Sequence, residues 1–405
     1  MKAALLAGVG ILCISNPLTA SDTGFIDAVK NGDAKLSLRM RYEDVNENTA
    51  VERGAQALTL RSRLSFETKQ YELFSVLLEF DDVQAIPDDE NFNTGDNGQL
   101  DDALVEDPEG SEINRIWLAY DIANTLIKYG QQYVALDNER FFGSEPWRQN
   151  TQTLSGLSIR NNSLNYTHLY FAQFNQLEGV QGEGRSEGRR DLNANIANIK
   201  YRGFMHSDLA LYAYSLDSDY VNYQEDTLTY GVRFSGRIKN EPEIDYAFEY
   251  ARQSDAGANT LNYSANYSLL DFGIAFNGAR FGLGQEVLGA DGFGYFVTPL
   301  ASLHGFQGWT DQFQNGGLGN IAGGVRDTYF SVGYACSDEF HLTSIYHSFK
   351  SDGGPAGQGK LGSEWGVEAK YGVGNYAFKL KYADYSKDNF GLDTKKIWLT
   401  AEADF

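Results

Sequence analysis

Lys396-Ile397-Trp398-Leu399-Thr400-Ala401-Glu402-Ala403-Asp404-Phe405 ends the sequence on an unbroken alternation. In an extended chain successive side chains point to opposite faces, so Ile397, Leu399, Ala401, Ala403 and Phe405 share one side. Lys396, Trp398, Thr400, Glu402 and Asp404 share the other. The same period of two recurs far upstream. Leu36, Leu38, Met40 and Tyr42 oppose Lys35, Ser37, Arg39, Arg41 and Glu43; Leu58, Leu60, Leu64 and Phe66 oppose Thr59, Arg61, Arg63, Ser65 and Glu67. Leu228 to Phe234, Ile244 to Tyr250, Trp365 to Tyr371 and Tyr376 to Tyr382 repeat it, each with charges on the opposite face. Segments of roughly nine to thirteen residues, tilted, match the thickness of a bilayer.

Composition agrees with an all-β chain. The 405 residues include 25 Tyr, 25 Phe and 43 Gly but only 7 Pro and 3 Met, a balance that favours strands and turns over helices. The mean hydropathy of −0.40 excludes a helical membrane protein but not a barrel, which turns only alternate side chains toward lipid. A formal net charge of −22 excludes nucleic acid as a partner.

Residues 1–20 read as a secretory signal: Lys2, an apolar run from Ala3 to Ile14, and Pro17-Leu18-Thr19-Ala20 ending in a small residue. Cys13 raises a lipoprotein alternative, opposed by Leu12 where such signals place a small residue. Cleavage after Ala20 leaves Cys336 as the only cysteine, so no intrachain disulfide is expected. Residues 21–405 then form one domain.

Connections alternate in length. Short links are expected near Lys69 to Glu72, Asp121 to Asn124, Arg160 to Ser163, Gly203 to Ser207, Lys239 to Glu243, Leu270-Asp271, Ser337-Asp338 and Gly372 to Asn375. Long ones are expected at Asp44 to Gln56, Ile86 to Ser111, Asp137 to Asn150, Asn175 to Asp191, Asp217 to Glu225, Gln285 to Gly324, Phe349 to Leu361 and Ser386 to Leu392. Tight periplasmic turns and long outer loops around about eighteen strands describe a single antiparallel transmembrane β-barrel. The register between Leu164 and Ile199 stays ambiguous. Tyr42, Trp117, Tyr120, Tyr129 and Tyr133 fall near strand ends, where aromatic rings suit a membrane interface.

The polar face carries the candidate chemistry. Arg39, Arg41, Arg61 and Arg63 share it on the first two strands, with Arg115 and Lys128 beyond. Glu43, Glu67, Glu79, Asp81 and Asp121 lie on the same side. Charges on a narrow wall choose the sign of a permeant; the plainer alternative is a mutually neutralised ladder that stiffens the barrel. The loop Asp137 to Asn150, rich in Phe, Trp and Arg, is expected to fold into the lumen with Arg140 and Arg148 at its narrowest part. The loop Gln285 to Gly324, dense in aromatics, is expected to pack on itself or plug the mouth. The acidic run Asp88 to Glu112 contains no Lys or Arg; a solvated loop is the expected reading, with divalent-cation binding or a gate as the alternative.

The closing strand resembles the last strand of bacterial outer-membrane proteins, whose terminal aromatic, here Phe405, is read by the barrel-assembly machinery. Leu60-Arg61-Ser62-Arg63-Leu64, Tyr129-Gly130-Gln131-Gln132 followed by Asp137 and Trp147-Arg148, and Thr298-Pro299-Leu300-Ala301 to Trp309 resemble the alginate-export family of porins. That resemblance implies an eighteen-stranded barrel with lumenal arginines for an anionic polysaccharide. The family often has Arg where Gln131 stands, which weakens the implication for alginate itself.

The expected function is passive diffusion of small or oligomeric anionic solutes, acidic sugars foremost, across the outer membrane of a Gram-negative bacterium. Arg39, Arg41, Arg61, Arg63, Arg115, Lys128, Arg140 and Arg148 would serve the solute. No cofactor, metal or catalysis is expected: His168, His206, His304, His341 and His347 form no ligand set, and no Gly-x-Ser-x-Gly elbow occurs. Expected partners are outer-membrane lipid, lipopolysaccharide, the assembly machinery and anionic saccharides, with the chain as a monomer. Two rivals remain open: a general porin without a preferred solute, and a surface enzyme or adhesin working through Gln285 to Gly324.

Overall fold

A computed structural model describes residues 23–405 except 50–52, 88–90, 186–187, 219–223 and 354–358. The segment expected to be a signal, residues 1–20, and Asp88, Asp89 and Glu90 of the acidic run therefore lie outside the described residues. A helix α1 (Thr23–Lys30) precedes eighteen strands: β1 (Asp33–Glu47), β2 (Arg53–Glu67), β3 (Phe74–Ala85), β4 (Gly110–Ile122), β5 (Thr125–Gln132), β6 (Thr153–Asn161), β7 (Thr167–Glu178), β8 (Arg189–Phe204) and β9 (Ser207–Ser218). They continue as β10 (Thr227–Ile238), β11 (Glu243–Asp255), β12 (Ser264–Phe276), β13 (Ala279–Leu288), β14 (Val325–Ala335), β15 (Phe340–Ser351), β16 (Lys360–Val373), β17 (Tyr376–Lys387) and β18 (Thr394–Asp404).

Each strand pairs antiparallel with its sequence neighbours, and β1 pairs with β18, from Ser37 opposite Asp404 to Glu47 opposite Thr394. The terminal residue finishes this seam: Phe405 N–H donates to Leu36 O at 2.8 Å, and Leu36 N–H donates to Phe405 O at 3.0 Å. Closure leaves no open sheet edge, which is the condition for strands to cross hydrocarbon without unpaired backbone groups.

Burial runs opposite to that of a water-soluble protein. Met40, Leu64, Phe80, Leu118, Leu283, Trp365 and Leu399 point outward and are 44–59% exposed, whereas Arg41, Glu43, Glu79, Asp81 and Trp398 are buried inside. Large apolar side chains cover the outer wall strand after strand because that wall meets lipid. This is a transmembrane β-barrel.

Three expectations need correction. Leu270-Asp271 is not a turn: it sits within β12, and the chain reverses at Asn277-Gly278, whose φ values of 50° and 79° are those an Asn-Gly hairpin turn requires. A loop at 256–263, between β11 and β12, was not anticipated. The cause is Leu269, which breaks the alternation by facing an interior that is itself apolar at this height; Leu270 points outward. Trp117 is also inside rather than at the membrane interface, and Tyr133 bonds Glu79 within the lumen.

The interior has two unlike sides. Along β6 to β13 it is filled by a hydrophobic cluster in which Phe174, Tyr212, Tyr214 and Tyr267 of the wall meet Phe142, Phe296 and Leu300 of inward-folded loops. Along β1 to β5 and β16 to β18 it is charged. The acidic run supplies a smaller packed unit, not a solvated loop: Phe92, Ala103 and Val105 are buried against Val45, Ala55, Ala57 and Ala85. At the short-turn end Phe25 of α1 meets Tyr71 edge-on at 6.0 Å.

Candidate functional site

The third outer loop (133–152) and the seventh (289–324) are drawn into the barrel by their own aromatics. Phe141 packs at 5.3 Å from both Tyr212 and Tyr267, and at 5.8 Å from Phe296 of the seventh loop. Residues 146–151 thereby lie along the arginine row of β1 and β2. Arg39 Nη1 donates to Pro146 O at 3.0 Å and to Arg148 O at 3.1 Å. Arg41 donates to Trp147 O and stacks on its ring at 4.1 Å. Arg61 Nη1 reaches Gln149 O at 3.4 Å, and Arg63 Nη2 donates to Thr151 Oγ1 at 3.0 Å. Successive wall arginines grip successive loop residues.

The carboxylates are allotted just as locally. Arg63 and Asp81 form a two-pronged pair at 2.7 and 2.5 Å, and Arg115 and Glu79 another at 2.9 and 2.5 Å. Tyr133 lies beneath Arg115 at 4.2 Å and donates to Glu79 at 2.9 Å. Arg39 pairs with Glu402 of β18 at 2.5 Å. The acidic loop reaches in as well: Asp107 faces Arg41 at 3.6 Å, and Arg148 is shared by Glu43, Glu106 and Asp311 at 3.5–3.6 Å.

Arg61 and Lys128 stand apart. Among the described residues neither has a carboxylate within the 4.0 Å of an ion pair. Arg61 is buried, opposite Arg39 across the strand pair, with only Gln149 O and Ser37 Oγ at 3.4 and 3.5 Å. Lys128 rests over the Trp117 ring at 4.0 Å.

Arg140 lies elsewhere. It is fully buried between the two loops and β13, bonded to Glu286 at 2.8 Å and Thr298 at 2.9 Å, with Phe306 beneath it. It holds the loops together and faces no open passage. Gln131 pairs with outward-facing Ile116 and donates to Ile113 O and Thr153 Oγ1, so an arginine missing here is not one lost from the lumen. Beside it Gly130 is obligatory: its φ is 131°, and a Cβ would lie 2.2 Å from Ile116 O.

A cavity of about 190 Å³ opens among Glu106, Glu145, Arg148, Gln152 and Leu303 of the outer loops and Arg190 of β8. Burial raises the Glu145 carboxyl to about 7, against the pull of Arg148. The carboxyl is therefore neutral in the folded barrel and charged in the unfolded chain between its ordinary value of 4.5 and about 7. Its contribution favours the folded state below 4.5 and is lost as pH rises through that window. Above about 7 it adds a negative charge beside Arg148. Reversal potentials in bilayer recordings should shift in the cation-favouring direction between pH 6 and 8, and Glu145→Gln should flatten the profile.

The fold and this lumen define the class, a closed eighteen-stranded transmembrane β-barrel with a charged interior and inward-folded loops. Solved structures share the architecture. The chain superposes on Pseudomonas aeruginosa OccK3 (OpdO) with a TM-score of 0.72 and 14% identity, covering 95% of this chain and 98% of that one. Acinetobacter baumannii OccAB4 gives 0.71 and 14%, covering 92% and 98%. P. aeruginosa OpdK with vanillate gives 0.72 and 14%, covering 93% and 99%. No protein-family model matches the sequence, and no curated protein does.

Proposed function

We propose that the barrel is a diffusion channel for small or oligomeric anionic solutes, with acidic sugars as the leading class. The observation that carries this reading is Arg61, a buried guanidinium between Arg39 and Arg63 with no carboxylate in ion-pair range among the described residues. A buried charge without a partner is costly, by several kcal/mol in a dry site. A solute carboxylate supplies the missing partner. Arg39, Arg63 and Arg115, 14–23% exposed and already paired, bind such a group only in competition with Glu402, Asp81 and Glu79. That competition keeps each stop brief, as throughput requires. Lys128, nearer the short-turn end, offers a further unpaired cation. OpdK, solved with the carboxylate vanillate, is a precedent in this fold. The choice of acidic sugars rests on the likeness to alginate-export porins, for which no family model speaks.

Single-channel reversal potentials across a salt gradient test the sign. The wild type should prefer anions, and Arg61→Ala with Lys128→Ala should move the potential toward zero. Cation preference unchanged by both substitutions would remove the proposal. Saturable block of conductance by a uronate oligomer, absent with a neutral oligomer of equal length, separates a solute-selective channel from a general porin. The adhesin or enzyme reading is disfavoured because Phe296, Leu300, Phe313 and Ile321 of the seventh loop are buried within the barrel. We further propose that the chain acts as a monomer among lipid and lipopolysaccharide, with Phe405 as the mark for the assembly machinery.

A further inference from the structure

Three tryptophans meet around one buried ammonium. Lys381, on the inward face of β17, has its Nζ 3.9 Å from the ring of Trp309, 4.3 Å from Trp147 and 5.7 Å from Trp398. The same Nζ lies 2.8 Å from His304 Nε2, and His304 Nδ1 lies 2.9 Å from Asp311 Oδ1. An ammonium only donates, so Nε2 accepts from Lys381 and the Nδ1 proton goes to Asp311. The imidazole stacks flat on Trp147, centroids 4.0 Å apart and planes 6° from parallel. Among the described residues Lys381 has no carboxylate within 4.0 Å; indole faces and one imidazole nitrogen are its direct contacts.

These contacts join the third loop, the seventh loop and the wall at one point. Trp147 belongs to the third outer loop, while His304, Trp309 and Asp311 belong to the seventh. Lys381 and Trp398 belong to the wall. Neighbouring wall residues tie the same knot: Glu364 of β16 accepts from the amide and hydroxyl of Thr310 at 3.0 and 2.6 Å, and Lys396 of β18 reaches Asp311 at 3.3 Å. Asp311 in turn faces Arg148, which lines the outer cavity. A desolvated cation gains strongly from aromatic faces. Here every such face except Trp398 arrives on a loop.

We propose that Lys381 is a positioning residue for the passage: added to the arginine row on the third loop and to Glu364 and Lys396 on the seventh, its ammonium is the contact that meets both inward loops at the β17 wall and so sets the width left for solute. This rests on the channel reading. Loops released from Lys381 would swing from the β16–β18 side and leave Lys381, Lys396 and Arg41 facing a wider, wetter lumen.

The test is unitary conductance of the purified full-length barrel in planar bilayers, with folding checked by heat-modifiable migration on gels. Lys381→Met should raise conductance severalfold. Lys381→Arg should stay near wild type, because a guanidinium still covers the indoles and donates to His304. Should Lys381→Met fail to fold, His304→Ala, a loop change that spares the wall, carries the same expectation. Folded Lys381→Met or His304→Ala barrels with wild-type conductance overturn the pin. A silent wild type beside a conducting Lys381→Met supports it. If neither conducts, the channel reading falls and takes the pin with it; lost anion preference with a persisting Lys381→Met response removes only the solute assignment.

Discussion

Replacing Arg140 with methionine should destabilise the barrel by about 3–5 kcal/mol, the cost of stranding a buried partner charge. Arg140 is the only ion-pair partner of Glu286 among the described residues, at 2.8 Å, with both side chains buried. Tyr267 donates to the same carboxylate at 3.0 Å and cannot neutralise it. The loss should show as a lower temperature for the folded-to-unfolded gel shift and as new protease cleavage in the third and seventh loops. Adding Glu286→Met should recover most of the difference, since an apolar pair of similar size replaces a buried ion pair at little cost. A single variant as stable as the wild type would mean that Glu286 does not carry its charge in the folded barrel.

Leu399→Arg should lower the folding free energy in lipid vesicles by about 2–4 kcal/mol, the midplane value for arginine on a barrel's outer face. Leu399 lies at the middle of β18, opposite Leu380 and Tyr42, and is 49% exposed in the isolated chain. On a water-facing surface the same change would fall within about 0.5 kcal/mol. The contrast makes this a test of what the outer wall touches. Leu399→Met, which keeps an apolar side chain at the same place, is the control and should cost much less. Equal effects of the two changes would contradict the lipid-facing assignment of the Leu399 side.

The wall was legible in the primary structure because lipid and lumen impose opposite demands on adjacent residues. Wherever both demands held, as in β1, β2, β17 and β18, the faces read from alternation are those observed. Alternation failed at Leu269, where an aromatic plug makes the inside as apolar as the outside, and a false turn was read one residue away. The Asn277-Gly278 signal was present and passed over. Arg39, Arg41, Arg61, Arg63, Arg115 and Lys128 line the charged side as expected, and the third loop does lie along them. Which of these cations keeps a partner could not be read, because Asp107, Glu106 and Glu402 come from distant segments. His304, Lys381 and Glu364 were missed as a unit for the same reason: two of them sit on separate strands, the third on a loop, and only barrel closure gathers them. The density of Trp and Phe around 296–313 was the available hint.

The Phe405–Leu36 pairing has a consequence for how this chain comes into being. The first strand finds one of its two lateral partners only in β18, so synthesis must reach β18 before a ring can exist. Until then one apolar ribbon after another is made with nothing to shelter it and would readily clump with its neighbours. Such a protein needs custody from synthesis to insertion, and a chain stopped before β18 would yield no smaller ring, only debris for proteases.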